Sequence, residues 1–557
     1  MANYSSNILN TASGALSANQ ALIGVLSNNI ANVNTPGYVR RSIVLQARPD
    51  SGRGNGSFGG GVEVGPLQRS VNSYLDKLVR EAGSDKASFG VQEELLNRID
   101  KIFDLTSSGE TIGKAFTNFF SAINDLKVQP SSIELRSAVL NQAQTLVSLI
   151  SDTFSTIAEV QDEADGRLDG EVAQVNGMLD EIAKLNGVIV SKESASGIAA
   201  DDRDKREELI RQLTEKIGVS SIEQTDGTAL ITLPGGFPLV VSTTARHLSV
   251  TDSPSFAAAA GVPPLLSGRL SRYIVFDYAP GSATSREIDL TSAVRSAGGS
   301  LGGLVAIRGI NSNSSTSPFT GDGPLVALAS RVESIARALL TQFNETYRGP
   351  DNDATTPTIL DASAVNLDNG VPGVFGFFTA QLTETTTLTD SDADGRPTYT
   401  DLAASGAQTF ADKLRLAISS PREIAAAIDA DPASGAPVLA PGNGENLEAL
   451  SALRTATFSL GTLVMSAVPV TGSQSLTLED GYQEMLTYFG GVMSSAQLGA
   501  KNAESRYIVA KQQRDQEAGV NLDEEFTQLV KFQRAFEASS RLVKAASDIL
   551  DTVIGLI

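Results

Sequence analysis

Residues 9–33 read LNTASGALSANQALIGVLSNNIANV, and the spacing of their apolar side chains decides how the chain is built. Leu9, Leu16, Ile23 and Ile30 fall seven apart, with Ala12, Leu26 and Val33 on the offset position. At the other end Leu522, Leu529, Phe536, Val543, Leu550 and Ile557 also repeat every seven, with Phe532, Ala546 and Val553 beside them. Such spacing is the a/d seam of a coiled coil, a narrow apolar stripe that is buried only against another helix. Two terminal helices with complementary stripes predict a chain that closes back on itself. The expected fold is multidomain and mostly α, a long helical coiled-coil rod formed by both termini with β-rich domains inserted in the middle.

The first 39 residues contain no Asp, Glu, Lys, Arg or His; the first charge is Arg40. A solvated surface helix normally carries charge on its outer face. This segment is therefore either partly disordered before assembly or packed on most sides by something else, the plainer alternative being an ordinary buried N-terminal helix. A signal peptide fits poorly without a basic n-region. A membrane span fits worse, since no run approaches the roughly 20 apolar residues that crossing a bilayer takes.

At 557 residues the chain has room for three or four domains. Its 43 basic and 64 acidic residues give a net charge of −21, which argues against a nucleic-acid partner. Arg40-Arg41 is only a pair, and Arg203, Lys205 and Arg206 alternate with acids. No cysteine is present, so disulfides, thiolate nucleophiles and zinc–sulfur sites are excluded together. A single histidine, His247, and no repeated metal-loop spacing make a poor catalytic toolkit, and neither enzyme activity nor cofactor nor metal is expected. The glycine run Gly52–Gly61 lacks the Lys-Ser/Thr ending of a phosphate-cradling loop.

Proline divides the sequence. Seventeen of the 21 prolines lie from Pro234 to Pro469, so the flanks are free to be long helices while the middle is broken into short elements. After Pro130, Ser131 and Glu134 read as a capping box. Apolar residues from Val139 to Leu185 then recur at threes and fours, predicting one helix, or two in series, of roughly 50 residues and about 75 Å. Residues 71–104, 111–128 and 475–516 read as its partners. From Val219 the period changes to that of strands, with a hairpin about Asp226-Gly227 and a second turn at Pro234–Pro238. The domain plan is a terminal coiled-coil domain inside (1–45 with 518–557), a helical rod domain (46–215 with 324–349 and 441–517), a β-rich domain (216–323) and an outer inserted domain (350–440).

The stretch Asn28-Asn29-Ile30-Ala31-Asn32-Val33-Asn34-Thr35-Pro36-Gly37-Tyr38 resembles the signature of the flagellar axial family, the rod, hook and junction proteins of bacterial flagella. Pro36 pushes Thr35 out of the α region, so the helix must stop and turn here. Gly60-Gly61-Val62, Arg69, Tyr74-Leu75 and Arg80 continue the resemblance. At the C-terminus, Val520, Asn521, Leu522, Asp523, Glu524 and Glu525 resemble the hook-associated junction members in particular. Three internal stretches agree: Asp202-Arg203-Asp204 before the hairpin, Gly303-Leu304 and Arg308 with Phe343-Asn344-Glu345, and Gly442-Asn443-Gly444-Glu445-Asn446. Where the family often has histidine, this chain has Tyr347. Independently of any family, Gly519 ends a helix, Asn521 can cap the next, and Asp523, Glu524 and Glu525 oppose its positive N-terminus.

The resemblance implies a structural protein of the flagellum, extracellular, exported by the flagellar type III apparatus without a cleaved signal peptide. It implies as partners copies of itself, the hook protein, a second junction protein on the filament side and a cytoplasmic export chaperone. The self-assembly seam is expected at Leu9, Leu16, Ile23, Leu26, Ile30, Leu522, Leu529, Phe532, Phe536, Val543 and Leu550. Phe532, Phe536 and Val543 are the expected chaperone anchors, since a helix binds a groove through apolar residues on one face. The alternatives are a hook or filament subunit sharing the same ends, or a surface adhesin acting through residues 350–440.

Overall fold

Proline-free flanks become long helices in the computed structural model, which describes residues 2–48, 60–103, 111–252, 272–277, 287–311, 321–349, 364–367, 376–380, 409–428, 442–459 and 475–554. Helix α1 (Ala2–Ala31) is followed by an antiparallel ribbon of β1 (Arg41–Ala47) and β2 (Val62–Arg69). Four helices come next: α2 (Ser73–Phe103), α3 (Ile112–Val128), α4 (Ile133–Ser196) and α5 (Ala200–Lys216). Two small antiparallel sheets follow. One orders β3 (Ser220–Glu223), β4 (Ala229–Thr232), β5 (Pro238–Val241) and β6 (Thr244–Ala245) in sequence; the other contains β7 (Ser249–Asp252), β8 (Arg272–Asp277) and β9 (Glu287–Asp289).

Helices α6 (Thr291–Ala297) and α7 (Gly299–Arg308) return the chain to the helical body, where α7 packs on α2 and α4. Helix α8 (Pro324–Ala338) then runs through a single π turn at Leu339–Phe343 into α9 (Asn344–Arg348). The chain ends with α10 (Glu445–Ala452), α11 (Leu478–Ala518) and α12 (Leu522–Ile554). The protein is mostly helical with small sheets. Much of the outer inserted stretch 350–440, and most of the glycine run Gly52–Gly61, lie outside the described residues.

The 64 residues of α4 form one uninterrupted helix of about 96 Å, longer than the periodicity alone predicts. Its N-cap is Ser132 and not Ser131: Ser132 Oγ accepts the amide of Leu135 at 3.3 Å and donates to Glu134 at 2.9 Å. Pro130 is the reason, because the turn that closes on it, Ser132 N to Gln129 O at 3.0 Å, places the first helical residue one position later. Along α4, Leu146, Ile150, Phe154 and Ile157 have no exposed surface and join Phe116, Phe119 and Leu328 in one continuous core. Truncating a fully buried Phe in such a core costs about 3–5 kcal/mol.

The hairpin about Asp226-Gly227 is present, pairing Glu223 with Ala229. Gly227 sits at φ +84°, and the Asp226 carboxylate accepts both the amide and the hydroxyl of Thr228. Two buried contacts tie the sheet to the helices, and a third joins the two helices behind it. Arg206 donates to Asn186 at 2.9 Å and to the carbonyl of Gly227 at 2.7 Å, and Asn186 donates to Ala229 O at 3.0 Å. His247 sits half in solvent, 2.8 Å from Asp180.

Candidate assembly site at the chain termini

Helices α1 and α12 lie antiparallel against each other: Asn19 bonds Ser539 at 3.2 Å, and ten residues on Asn29 bonds Glu525 at 3.0 Å. Among the described side chains of α1, the buried ones are Ala12, Ala18, Leu22, Leu26 and Asn29. Leu9, Leu16, Ile23 and Ile30 are half-buried along one flank of that line. On α12 the buried positions Glu525, Ser539 and Ala546, with half-buried Phe532 between them, recur every seven residues. Leu529, Phe536 and Val543 are half-buried beside them, Leu522 is exposed, and the side chain of Leu550 lies outside the described residues. The line turns this way because α1 has a second neighbour: the β1–β2 ribbon packs along it, with Gly61 against Thr11.

The turn after α1 is built by its own motif. Asn32 donates to Asn28 O at 3.0 Å and accepts from Thr35 Oγ1 at 3.2 Å. Tyr38 N then closes on Thr35 O at 3.2 Å, with Pro36 and Gly37 at the two central positions and Gly37 at φ +78°. Pro followed by a residue of positive φ is the signature of a type II turn. A Cβ on Gly37 would also lie 3.0 Å from that of Glu208. Ala31 is exposed and touches none of this.

That turn delivers Tyr38 into a buried polar junction. Asn29 has no exposed surface and uses both ends of its amide. Its oxygen accepts Tyr38 OH at 2.8 Å and Arg41 N at 3.1 Å, and its nitrogen donates to Arg41 O at 2.9 Å and to Glu525. Glu525, itself fully buried, also accepts Arg40 Nε at 2.7 Å, while the more exposed Glu524 stands 3.8 Å from Arg40. Arg41 reaches the opposite way, to Asp201 at 2.6 Å and Asp204 at 2.8 Å on α5. Arg69 of β2 grips the other oxygen of Asp204 through Nε at 2.8 Å and its terminal nitrogen at 2.5 Å.

Electrostatics follow from that geometry. Burial works against the charge of Arg41, but its bonds to Asp204 and Asp201 outweigh burial and hold its pKa above the usual guanidinium value. Burial raises the pKa of Tyr38, the neighbouring Arg41 countering only in part, so the phenol stays a neutral donor to Asn29. A buried carboxylate that loses its partner costs several kcal/mol, so Asn29 and Arg40 define where the first turn of α12 must sit. Asn521 supports that start by accepting the amide of Asp523 at 3.0 Å; Asp523 and Glu524 face solvent. Gly519 ends α11 without a positive φ, its N–H bonded to Asp515 O at 3.0 Å.

The internal motifs converge at a second place. Asn344 accepts the amides of Phe377 and Phe378, both at 3.0 Å. Tyr347, three residues on, accepts Ala425 N at 2.9 Å and donates to Glu423 O at 3.1 Å. Asn446 donates to the carbonyls of Tyr347 at 2.8 Å and Ala425 at 2.6 Å. Tyr347 therefore bridges where histidine was the family expectation.

Five participants, Arg40, Arg41, Arg69, Asp201 and Asp204, are not among the site residues expected from sequence, and the β1–β2 ribbon is not among the expected elements. The ribbon's signal was the alternation in Val62-Glu63-Val64. The Arg40-Arg41 pair was legible as charge but not as a bridge between two modules.

Comparisons with known proteins find similarity along nearly the whole chain. Residues 96–353 match the family model of the flagellar hook-associated protein FlgK helical domain, residues 9–38 that of the flagella basal body rod protein, and residues 511–556 that of the flagellar basal body rod FlgEFG protein C-terminal. Flagellar hook-associated protein 1 of Escherichia coli (strain K12) is 25% identical over 600 residues, covering 99% of this chain and 100% of that protein. The protein of the same name from Bacillus subtilis (strain 168) is 23% identical, covering 98% and 97%. In fold the chain is similar to the flagellar hook junction protein FlgK from Burkholderia pseudomallei, with a TM-score of 0.54 at 16% identity over 78% of this chain and 99% of that one.

The chain is thus a structural protein of the bacterial flagellar axis, not an enzyme. Within that class it is similar over nearly its whole length to flagellar hook-associated protein 1.

Proposed function

We propose that the chain acts as the adaptor between hook and filament, assembling through a coiled coil of α1 and α12 into a ring or helical turn around the export channel. The observation that carries this reading is the terminal helix pair itself. It buries one seam internally, yet α12 keeps Phe526, Val530, Leu542 and Ile549 about half exposed. Apolar side chains in such number on one helix mark a surface awaiting a partner. A heterologous contact repeated by rotation and rise generates a ring or helix of copies.

The remaining partners follow from the same reading: the hook protein on one side, a second junction protein on the other, and a cytoplasmic chaperone before export through the type III apparatus, without a cleaved signal peptide. Phe532, Phe536 and Val543 face the α1 side of the pair, so a chaperone gripping them must hold α12 away from α1. The test is the double variant Leu529→Asp with Phe536→Asp. It should remain monomeric by sedimentation while the helical body keeps its circular dichroism; assembly like that of the wild type would refute the seam.

A further inference from the structure

The outer face of α12 carries its charges in blocks. Asp523 and Glu524 begin the helix, Lys531, Arg534, Arg541 and Lys544 occupy its middle with Glu537 among them, and Asp548 and Asp551 close it. All of these side chains are exposed. From Lys531 to Asp551 none forms an ion pair with another described residue, whereas the helical body pairs its charges densely, as in Arg211 with Glu208 and Glu215. The neighbouring helix cannot serve, because α1 contains no Asp, Glu, Lys, Arg or His.

We propose that this face docks against α12 of a second copy, parallel and displaced along the axis by roughly 12–14 residues, about 18–21 Å at 1.5 Å per residue. The proposal rests on the self-assembly reading above and adds to it the geometry of the contact. The acidic start, basic middle and acidic end are centred near positions 523, 537 and 549. One displacement therefore sets the basic middle of one copy beside the acidic start of the next, and the acidic end of the first beside the basic middle of the second. Parallel helices in register would set like charge against like at every block, which is unfavourable. Exposed Phe526 and Val530, between the first two blocks, supply the apolar part of the contact.

Block reversals in the full chain test this. Lys531, Arg534, Arg541 and Lys544 are all changed to Glu in one variant, and Asp523, Glu524, Asp548 and Asp551 all to Lys in a second; a third combines both sets. Circular dichroism confirms that the helix persists. Exposed pairs are individually weak but several are lost together, so each single-block variant should need roughly tenfold more protein to assemble at low salt. The combined variant should recover to within roughly threefold, and electron microscopy should show adjacent α12 helices offset as stated. Unchanged assembly by the single-block variants, or helices in register, overturns the displacement and assigns the charged face to a different occupant while self-assembly stands. Failure of the wild type to assemble at any concentration overturns the self-assembly reading and the displacement together.

Discussion

Asn29 and Glu525, 496 positions apart in sequence, meet through a buried hydrogen bond of 3.0 Å. Neither side chain has exposed surface, and between them they bring together the first helix, the turn after it and the last helix. Replacing Asn29 with Ala strands Tyr38 OH, the backbone of Arg41 and one oxygen of Glu525. Each unsatisfied buried group costs about 1–3 kcal/mol. Hydrogen exchange should report loosening at the start of α12 and at 38–41, with the distant β3–β6 sheet unchanged.

Asp204 is the corresponding anchor toward the helical body, held by Arg41 and Arg69 together. Asp204→Asn leaves two guanidinium groups facing one neutral amide, and removing one partner of a buried pair costs about 3–5 kcal/mol. The β1–β2 ribbon, too small to be stable alone, should then exchange its amide hydrogens much faster while α4 retains protection.

Gly37→Ala asks an L side chain to adopt φ +78° and to fit 3.0 Å from Glu208. The left-handed conformation alone costs about 1–2 kcal/mol. Thermal unfolding should show a lower midpoint than wild type. Gly177→Ala, in open space on α4, should be neutral or slightly stabilising.

Tyr347→Phe removes a hydroxyl that accepts Ala425 N and donates to Glu423 O. Leaving those backbone groups unpaired should cost about 1–3 kcal/mol. Limited proteolysis should cut near 421–428 sooner in this variant than in the wild type, and equal rates would show that the bridge is unimportant.

Acid should loosen the region around α5 before it affects the apolar core. The Arg203 guanidinium holds the Glu193 carboxyl below its usual 4.5, burial opposing and the Ala199 amide assisting. For an acid with a lowered folded pKa, the stabilisation is complete above the unfolded value and disappears as pH falls through the folded one. Protection factors at 193–206, which remove the intrinsic pH dependence of amide exchange, should therefore hold steady from pH 7 to about 5 and fall below about 4.5.

Periodicity revealed the long elements, because burying a helix face or pairing a strand leaves a repeat in the sequence. The limits of α2, α3 and α11 fall within a few residues of those expected, and the Asp226-Gly227 hairpin is where its turn residues put it. The polar junction was only half legible. Asn29, Tyr38 and Glu525 stood out through a resemblance, but nothing local says that Arg40 faces Glu525 while its neighbour Arg41 faces Asp204. That division arises because successive residues of an extended segment point to opposite sides. Which flank of α1 is most deeply buried was likewise set by the ribbon lying against it, a contact absent from any local repeat.

The single continuous span of α4 has a mechanical consequence. Near its start Arg136 clasps the carbonyls of Pro130 and Ile424, and near its end the chain folds into α5, where Asp204 receives the arginines of the ribbon. One unbroken strut thus separates the two clasps. Tilting it by about 5° about one end would swing the other by about 8 Å over a length of about 96 Å, so strain entering at one clasp is magnified at the other, and what gives way is the geometry of the ends before the beam between them.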